Sequence, residues 1–277
     1  MKIAILQTDA VQGAFEENLA HIENFVRIAK EGNADLAIFP ELFLCGFNYK
    51  ANAKFLAQKQ NYAEDKIASL AKKYEIALCG TFPHIEGNAT LPSNRLVIFD
   101  NTGKQIATYD KTHLFGVFNE DKHIARGENV VVADTIWGKI GLSICYDIRF
   151  ADLFTSMATS GAKLIIMCAA FPHPRSEHWT TLCKARAIEN QCFFAAVNRA
   201  GEERFPNSTI KYCGLSAVYN PWGETIAQCK LDVEDVAFAD IDLSEADKVR
   251  AKIPSFSDRR SLNFYYKLAK NTENQTI

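Results

Sequence analysis

No run of apolar residues in this chain approaches the roughly 20 needed to span a bilayer, so no membrane segment is expected. Charge of one sign is also missing: Lys and Arg number 31 against 33 Asp and Glu, a net charge of -2. Such balance argues against nucleic acid or an anionic membrane as the main partner. Histidine is scarce, with 6 in the chain and no H-x-x-x-H pair, so neither a metal site nor any cofactor is expected. The 8 cysteines (45, 79, 145, 168, 183, 192, 213 and 229) form no C-x-x-C pair, and most sit inside apolar runs. Thiols of that kind are usually small buried hydrophobes, and the pattern suits a reducing cytoplasm better than a disulfide scaffold. The opening segment Met1–Gln7 reads as a strand, too short for the apolar region of a signal peptide. Linkers, charge blocks and low-complexity stretches are absent, so residues 1–277 are expected to form one domain.

What the chain does have is an apolar content of 48%, enough for one large core or two tightly fused halves. Strand-like and helix-period segments alternate throughout. Strands are expected over 3–8, 35–39, 76–81, 95–99 and 105–109, then over 139–145, 164–168, 193–197, 214–219 and 236–241. Phe15, Leu19, Ile22, Val26 and Ala29 recur at helical spacing, and Gly32-Asn33 stops that helix. Further helices are expected over 63–74, 151–160, 176–190 and 244–252, with a polar tail from Pro254. Residues 100–104 and 220–224 read as turns. The fold class is therefore α/β, with mixed sheets and helices outside.

Three of the apolar runs end on a reactive side chain. Ala37-Ile38-Phe39-Pro40 leads to Glu41, Ile106-Ala107-Thr108-Tyr109-Asp110 to Lys111, and Ile140-Gly141-Leu142-Ser143-Ile144 to Cys145. A buried strand that stops at a titratable group delivers it to the rim of a sheet, where ligand sites in α/β folds commonly lie. Carboxylate, ammonium and thiol together supply a base, an oxyanion stabiliser and a nucleophile. Cys145 is the expected nucleophile, on a strand-to-helix turn whose N–H groups and dipole favour thiolate. Each residue has a plainer reading alone: an inert strand cysteine, a carboxylate near a helix start, a surface lysine at a hairpin end. Buried charges of both signs are tolerated only when paired, so the trio is expected to act as a unit.

These segments carry a resemblance. Phe39-Pro40-Glu41-Leu42-Phe43, Tyr109-Asp110-Lys111-Thr112-His113-Leu114 and Gly141-Leu142-Ser143-Ile144-Cys145-Tyr146-Asp147 resemble, in order and separation, the three signatures of the nitrilase superfamily of carbon-nitrogen hydrolases. The resemblance continues through Arg186–Asn190, Asn198-Arg199 and Gly214–Ser216 to Pro221–Glu224, covering nearly the whole chain. It implies a four-layer α-β-β-α sandwich with two mixed sheets and a Glu41-Lys111-Cys145 triad. It also implies that the N–H of Tyr146 joins Lys111 in the oxyanion hole. Glu120 matches by position a supporting glutamate that family members often carry.

Tyr146-Asp147 after the cysteine looks like the amidase branches rather than the true nitrilases, and residues 170–179 are similar to the bacterial omega-amidases. The resemblance thus implies hydrolysis of the terminal amide of 2-oxoglutaramate or a similar monoamide, through a thioester and with release of ammonia. Ala170-Phe171-Pro172 stands where relatives often have Asn-Trp-Pro, which bears on pocket shape. A substrate with a free carboxylate calls for a guanidinium, and Arg175 is the candidate. Arg149 is a second, with pairing to Asp147 or Glu189 as its plainer role. Phe43, Phe118 and Phe171 are candidates for the apolar wall. Other readings keep the chemistry and change the substrate to deaminated glutathione or an N-carbamoyl amine. A Cys-His hydrolase using His113 or His178 fits the strand ends less well than Glu41 does. A non-catalytic reading makes the chain a dimeric scaffold or a redox-sensing thiol protein. Family members associate through their nucleophile-side helices, which implies a homodimer or higher homo-oligomer with the 254–277 tail at the interface.

Overall fold

The computed structural model describes residues 1–268, except residues 60, 206, 262 and 266. Five strands in the first half of the chain belong to one sheet: β1 (Lys2–Gln7), β2 (Leu36–Ile38), β3 (Ala77–His84), β4 (Ser93–Phe99) and β5 (Gln105–Asp110). The second half contributes β6 (Val132–Thr135), β7 (Gly138–Ile144), β8 (Leu164–Ala169), β9 (Phe193–Asn198), β10 (Glu202–Phe205), β11 (Ser208–Lys211), β12 (Ala217–Tyr219), β13 (Thr225–Gln228) and β14 (Asp235–Asp240). The order is β14-β1-β2-β3-β4-β5 in one six-stranded sheet and β13-β12-β9-β8-β7-β6 in the other, with β10-β11 a separate hairpin. Each large sheet has three parallel strands at its centre, β1-β2-β3 or β7-β8-β9, and antiparallel neighbours outside.

The helices are α1 (Phe15–Glu31), α2 (Tyr49–Gln58), α3 (Tyr62–Tyr74), α4 (Glu120–His123), α5 (Ala151–Thr159), α6 (Ser176–Asn190), α7 (Ser244–Lys252) and α8 (Ser255–Asp258). Three apolar layers hold the elements together. Ile22, Val26 and Ile67 of α1 and α3 pack on Ala4, Leu6, Leu78 and Val97 of the first sheet. Between the sheets, Ile3, Ile5, Leu36 and Ile38 meet Ile140, Leu142, Ile144 and Ile166. On the far side, Ile165 and Met167 meet Phe154 and Met157 of α5 and Trp179 and Cys183 of α6. Alternate residues of one strand thus face different layers. That is why β1 and β8 read as unbroken apolar runs. The four-layer α-β-β-α arrangement follows. Among the described residues, no helix is long and apolar enough to cross a membrane.

Most expected elements recur within a residue or two. The difference lies in short pieces. The expected strand over 214–219 shrinks to β12, because Gly214 (φ 60°) and Leu215 (φ 53°) both adopt the left-handed region. Helix α2, for which the sequence gives no expectation, starts where the Asn48 side chain accepts the Ala51 N–H at 3.1 Å. Strands β6, β10, β11 and β13 likewise lie outside the expected elements; each has only four residues, too few to show a pattern. Of the tail over 254–277, residues 269–277 lie outside the described residues.

One buried side chain links the sheet ends. Gln7, at the end of β1, donates through Nε2 to the carbonyls of Lys230 and Val233, both at 2.6 Å. Its Oε1 accepts the N–H and the hydroxyl of Ser216, both at 2.9 Å. Replacing Gln7 by leucine strands buried donors and acceptors on both sides. A loss of about 2–4 kcal/mol of unfolding free energy is expected, read as a lower denaturant midpoint with unchanged slope.

Candidate active site

β5 runs antiparallel to β4, which runs antiparallel to β3, so β2, β3 and β5 end on the same edge of the first sheet. Glu41 lies just beyond β2 and Lys111 directly beyond β5. Cys145 follows β7 of the facing sheet. The two sheets thereby bring residues 41, 111 and 145 into one cleft, together with Glu120 from the start of α4.

The Lys111 ammonium is held between two carboxylates. Its Nζ lies 2.7 Å from Glu41 Oε1 and 2.9 Å from each oxygen of Glu120. All three residues are essentially inaccessible. Glu41 Oε1 also accepts from Asn94 Nδ2 at 2.8 Å, and Oε2 accepts the N–H of Ala170 at 3.1 Å. Glu120 Oε2 takes the N–H of Phe115 at 2.7 Å. Removing either carboxylate would leave a buried charge short of a partner, a defect typically costing about 3–5 kcal/mol.

Burial raises the Glu41 carboxyl above the ordinary carboxylate range, although Lys111 pulls the other way. Burial also opposes the charge of Lys111, but Glu120 and Glu41 outweigh it and raise its pKa well above the usual lysine value. The Cys145 thiol is pushed well up, first by burial and then by the charge of Glu41. Lys111 and the N–H of Ala170 only partly offset this. This corrects the expectation of a turn that favours thiolate: the resting group is a thiol, in the same cleft as the candidate base Glu41.

Local geometry explains how Cys145 comes to face that base. The residue has φ 46°, an uncommon left-handed conformation for a side chain with a Cβ, and opens a single 3-10 turn over Cys145–Arg149 before α5. Asp147, fully buried, holds this turn. Its Oδ2 accepts the N–H of Ile144 and the hydroxyl of Tyr109, both at 2.8 Å. Its Oδ1 accepts the N–H of His113 and the hydroxyl of Thr112, both at 3.2 Å, and lies 2.8 Å from His113 Nδ1. One carboxylate therefore ties the chain on both sides of Lys111 to the turn that carries Cys145. The sequence reading assigned Asp147 no such task.

The remaining expected residues separate. Phe118, Phe171, Arg149 and Arg175 line the cleft, as does Tyr146. Phe43 does not: it stacks on Phe39, with centroids 4.5 Å apart, in the layer under α1 and α3. The left-handed turn at Leu42 (φ 50°) follows Glu41, so the two side chains take different directions from the strand end. Arg149 pairs with neither Asp147 nor Glu189. Those carboxylates are engaged by the Tyr109–His113 segment and by Arg186 at 2.6 Å, while the Arg149 guanidinium lies over the Phe171 ring and reaches His178. Arg175 lies over Phe115, 5.9 Å from its centroid. Residues the sequence reading missed include Asn94, Phe47, Tyr49 and Phe115. Asn94 is a polar residue inside a strand buried on both faces, a signal that could have been noticed. The other three lie in segments without periodicity.

Comparison with known proteins agrees with this geometry. The Carbon-nitrogen hydrolase family profile matches residues 2–251. The chain is 34% identical over 259 residues to the 2-oxoglutaramate amidase of Bacillus subtilis, covering 93% of this chain and 97% of that one. It is 32% identical over 267 residues to the deaminated glutathione amidase of Dictyostelium discoideum, covering 90% of each. A solved carbon-nitrogen hydrolase from Helicobacter pylori matches with a TM-score of 0.88 and 27% identity, covering 97% of each chain. A match of this extent, carried by a cleft of carboxylates, lysine and cysteine, means that the chain belongs to the carbon-nitrogen hydrolase family of the nitrilase superfamily.

Proposed function

We propose that this protein is a cysteine-dependent amidase of the omega-amidase type, acting on small monoamides that carry a free carboxylate. The observation that carries the reading is the Lys111 ammonium clamped at 2.7–2.9 Å between Glu41 and Glu120, with Cys145 lining the same cleft. Glu41 takes the thiol proton as sulfur attacks the amide carbon. The developing oxyanion is met by Lys111 and by the N–H of Tyr146, which lies in the first turn of a helix where N–H groups have no partner within the helix. Glu41 then passes the proton to the departing ammonia. Water, deprotonated by Glu41, releases the acid from the thioester. Glu120 supports the site by holding Lys111 in place.

The substrate class rests on the cleft mouth. Arg149 and Arg175 are both half-buried there, and among the described residues neither has a carboxylate partner. Guanidinium groups so placed suit a substrate carboxylate, with Phe118 and Phe171 flanking its methylenes. The similarity to the Bacillus enzyme favours 2-oxoglutaramate. The similarity to the Dictyostelium enzyme makes deaminated glutathione the second substrate to test. A redox-sensing role fits poorly, since a sensor needs a low-pKa thiol and Cys145 is shifted the other way. We further propose one catalytic domain, working in the cytoplasm as a homodimer or higher homo-oligomer through α5 and α6. All 8 cysteines are free, and Ile188 on α6 and Ile253 beside it are exposed.

Four outcomes are expected. Cys145→Ala abolishes ammonia release from 2-oxoglutaramate while leaving the circular dichroism spectrum intact; full activity in that variant refutes the mechanism. The base must be ionised to act, and its pKa is raised. The acid limb of kcat/KM should therefore have its midpoint above the ordinary carboxylate value of 4.5, with activity lost as pH falls through it. Glu41→Gln should lower kcat by about a hundredfold or more at every pH. Arg175→Lys should raise KM for carboxylate-bearing amides far more than for neutral ones; equal effects on both remove Arg175 from that role.

A further inference from the structure

One polar group in the cleft has no task in the chemistry above. The hydroxyl of Tyr49 is buried and makes no hydrogen bond. Unpaired buried hydroxyls are uncommon and call for an explanation. Tyr49 lines the same cleft as Glu41, Lys111, Glu120 and Cys145. Its ring is fixed from several directions. It stacks on His123, with centroids 4.9 Å apart and planes at 20°, and meets Phe47 edge-on at 6.3 Å. The backbone is fixed too: Tyr49 is the first residue of α2, behind the Asn48 cap, and its N–H bonds the carbonyl of Phe47 at 3.0 Å. A rigid ring that presents an unpaired hydroxyl to a reaction cleft is built to meet something that enters it.

The chemistry narrows what that is. Burial, then the charge of Glu120, keep Tyr49 protonated, so the group can donate. The charges acting on it are those of Glu120, Lys111, Glu41 and Glu203, mostly negative, which makes its surroundings unfavourable for an anion. Its partner is therefore a neutral acceptor oxygen rather than a carboxylate. In the reading proposed above, the scissile carbonyl is met by Lys111 and the Tyr146 N–H, and the distal carboxylate by the arginines. The acceptor still without a donor is the 2-oxo oxygen of an oxo-dicarboxylic monoamide. Resting on that reading, we infer that Tyr49 is a specificity-determining residue whose hydroxyl donates a hydrogen bond to the 2-oxo group of the substrate.

The test compares 2-oxoglutaramate with glutaramate, which lacks only the oxo oxygen, in the wild-type enzyme and in Tyr49→Phe. The ratio of kcat/KM for the first to that for the second should fall about tenfold or more in the variant, the usual scale for one hydrogen bond to a buried partner. Because the hydroxyl has no bond in the free protein, the variant's melting temperature should be unchanged or higher. That separates loss of recognition from loss of fold. An unmoved ratio overturns the inference, whether both substrates lose equally, as they would if Tyr49 met the reaction oxyanion, or neither loses. A second measurement needs no variant: 2-oxoglutarate should inhibit the wild-type enzyme about tenfold more tightly than glutarate does, and equal inhibition counts against the inference. If the wild-type enzyme itself cleaves neither amide, the omega-amidase reading fails and takes this one with it. That result is recognisable because it does not depend on residue 49.

Discussion

The arrangement of this molecule turns on one buried ammonium between two buried carboxylates. Lys111, Glu41 and Glu120 are all out of water, and no one of them is tolerable there alone. Together they hold one more negative charge than positive. The surplus adds to an effect of burial at sulfur: burial first, and then the charge of Glu41, oppose a thiolate, so Cys145 rests protonated. In the mechanism proposed, attack then coincides with proton transfer to Glu41. The raised pKa of that carboxyl brings its basicity closer to what such a transfer needs.

Holding that cluster demands agreement between distant parts of the chain. Glu41 comes from the first sheet, yet Oε2 is bound by the N–H of Ala170, which follows β8 of the second. Its own N–H reaches the carbonyl of Ala169 at 3.3 Å. Asp147 joins the turn of Cys145 to the segment around Lys111. Gly127 shows how closely the chain must approach there: its N–H bonds the Lys111 carbonyl at 2.9 Å, and a Cβ on it would lie 2.0 Å from the carbonyl oxygen of Asp110. Most of these contacts are buried between the sheets. The positions of the reacting groups are therefore properties of the sheet packing rather than of mobile loops.

The mouth of the cleft is built differently. Its walls include aromatic rings on connecting segments, with Phe115 against both Tyr146 and Phe118 at 5.0 Å, and its charges are two arginines over rings. Relatives at 32–34% identity carry names that state different substrates. Such a division is expected when chemistry is carried by strand ends and selection by loops.

The sequence by itself determined the central strands of both sheets, the long helices other than α2, and the three reactive residues at strand ends. Each of these follows from local rules: apolar runs of strand length, helical periodicity, and the abrupt change from apolar to titratable. Glu41, Lys111 and Cys145 were legible because burial and charge meet at adjacent positions. Only the tertiary structure decided which neighbours complete the site. Phe43 and Phe118 look alike as letters, yet the turn at Leu42 sends one into the core while the other stays in the cleft. The protonation of Cys145 could not be read locally either, because it depends first on burial between the sheets and then on Glu41, more than a hundred residues earlier. Tyr49 and Asp147 are ordinary polar residues in the chain. One acquires its meaning from having no partner and the other from having five, and partners are set by packing between segments that sequence order keeps apart.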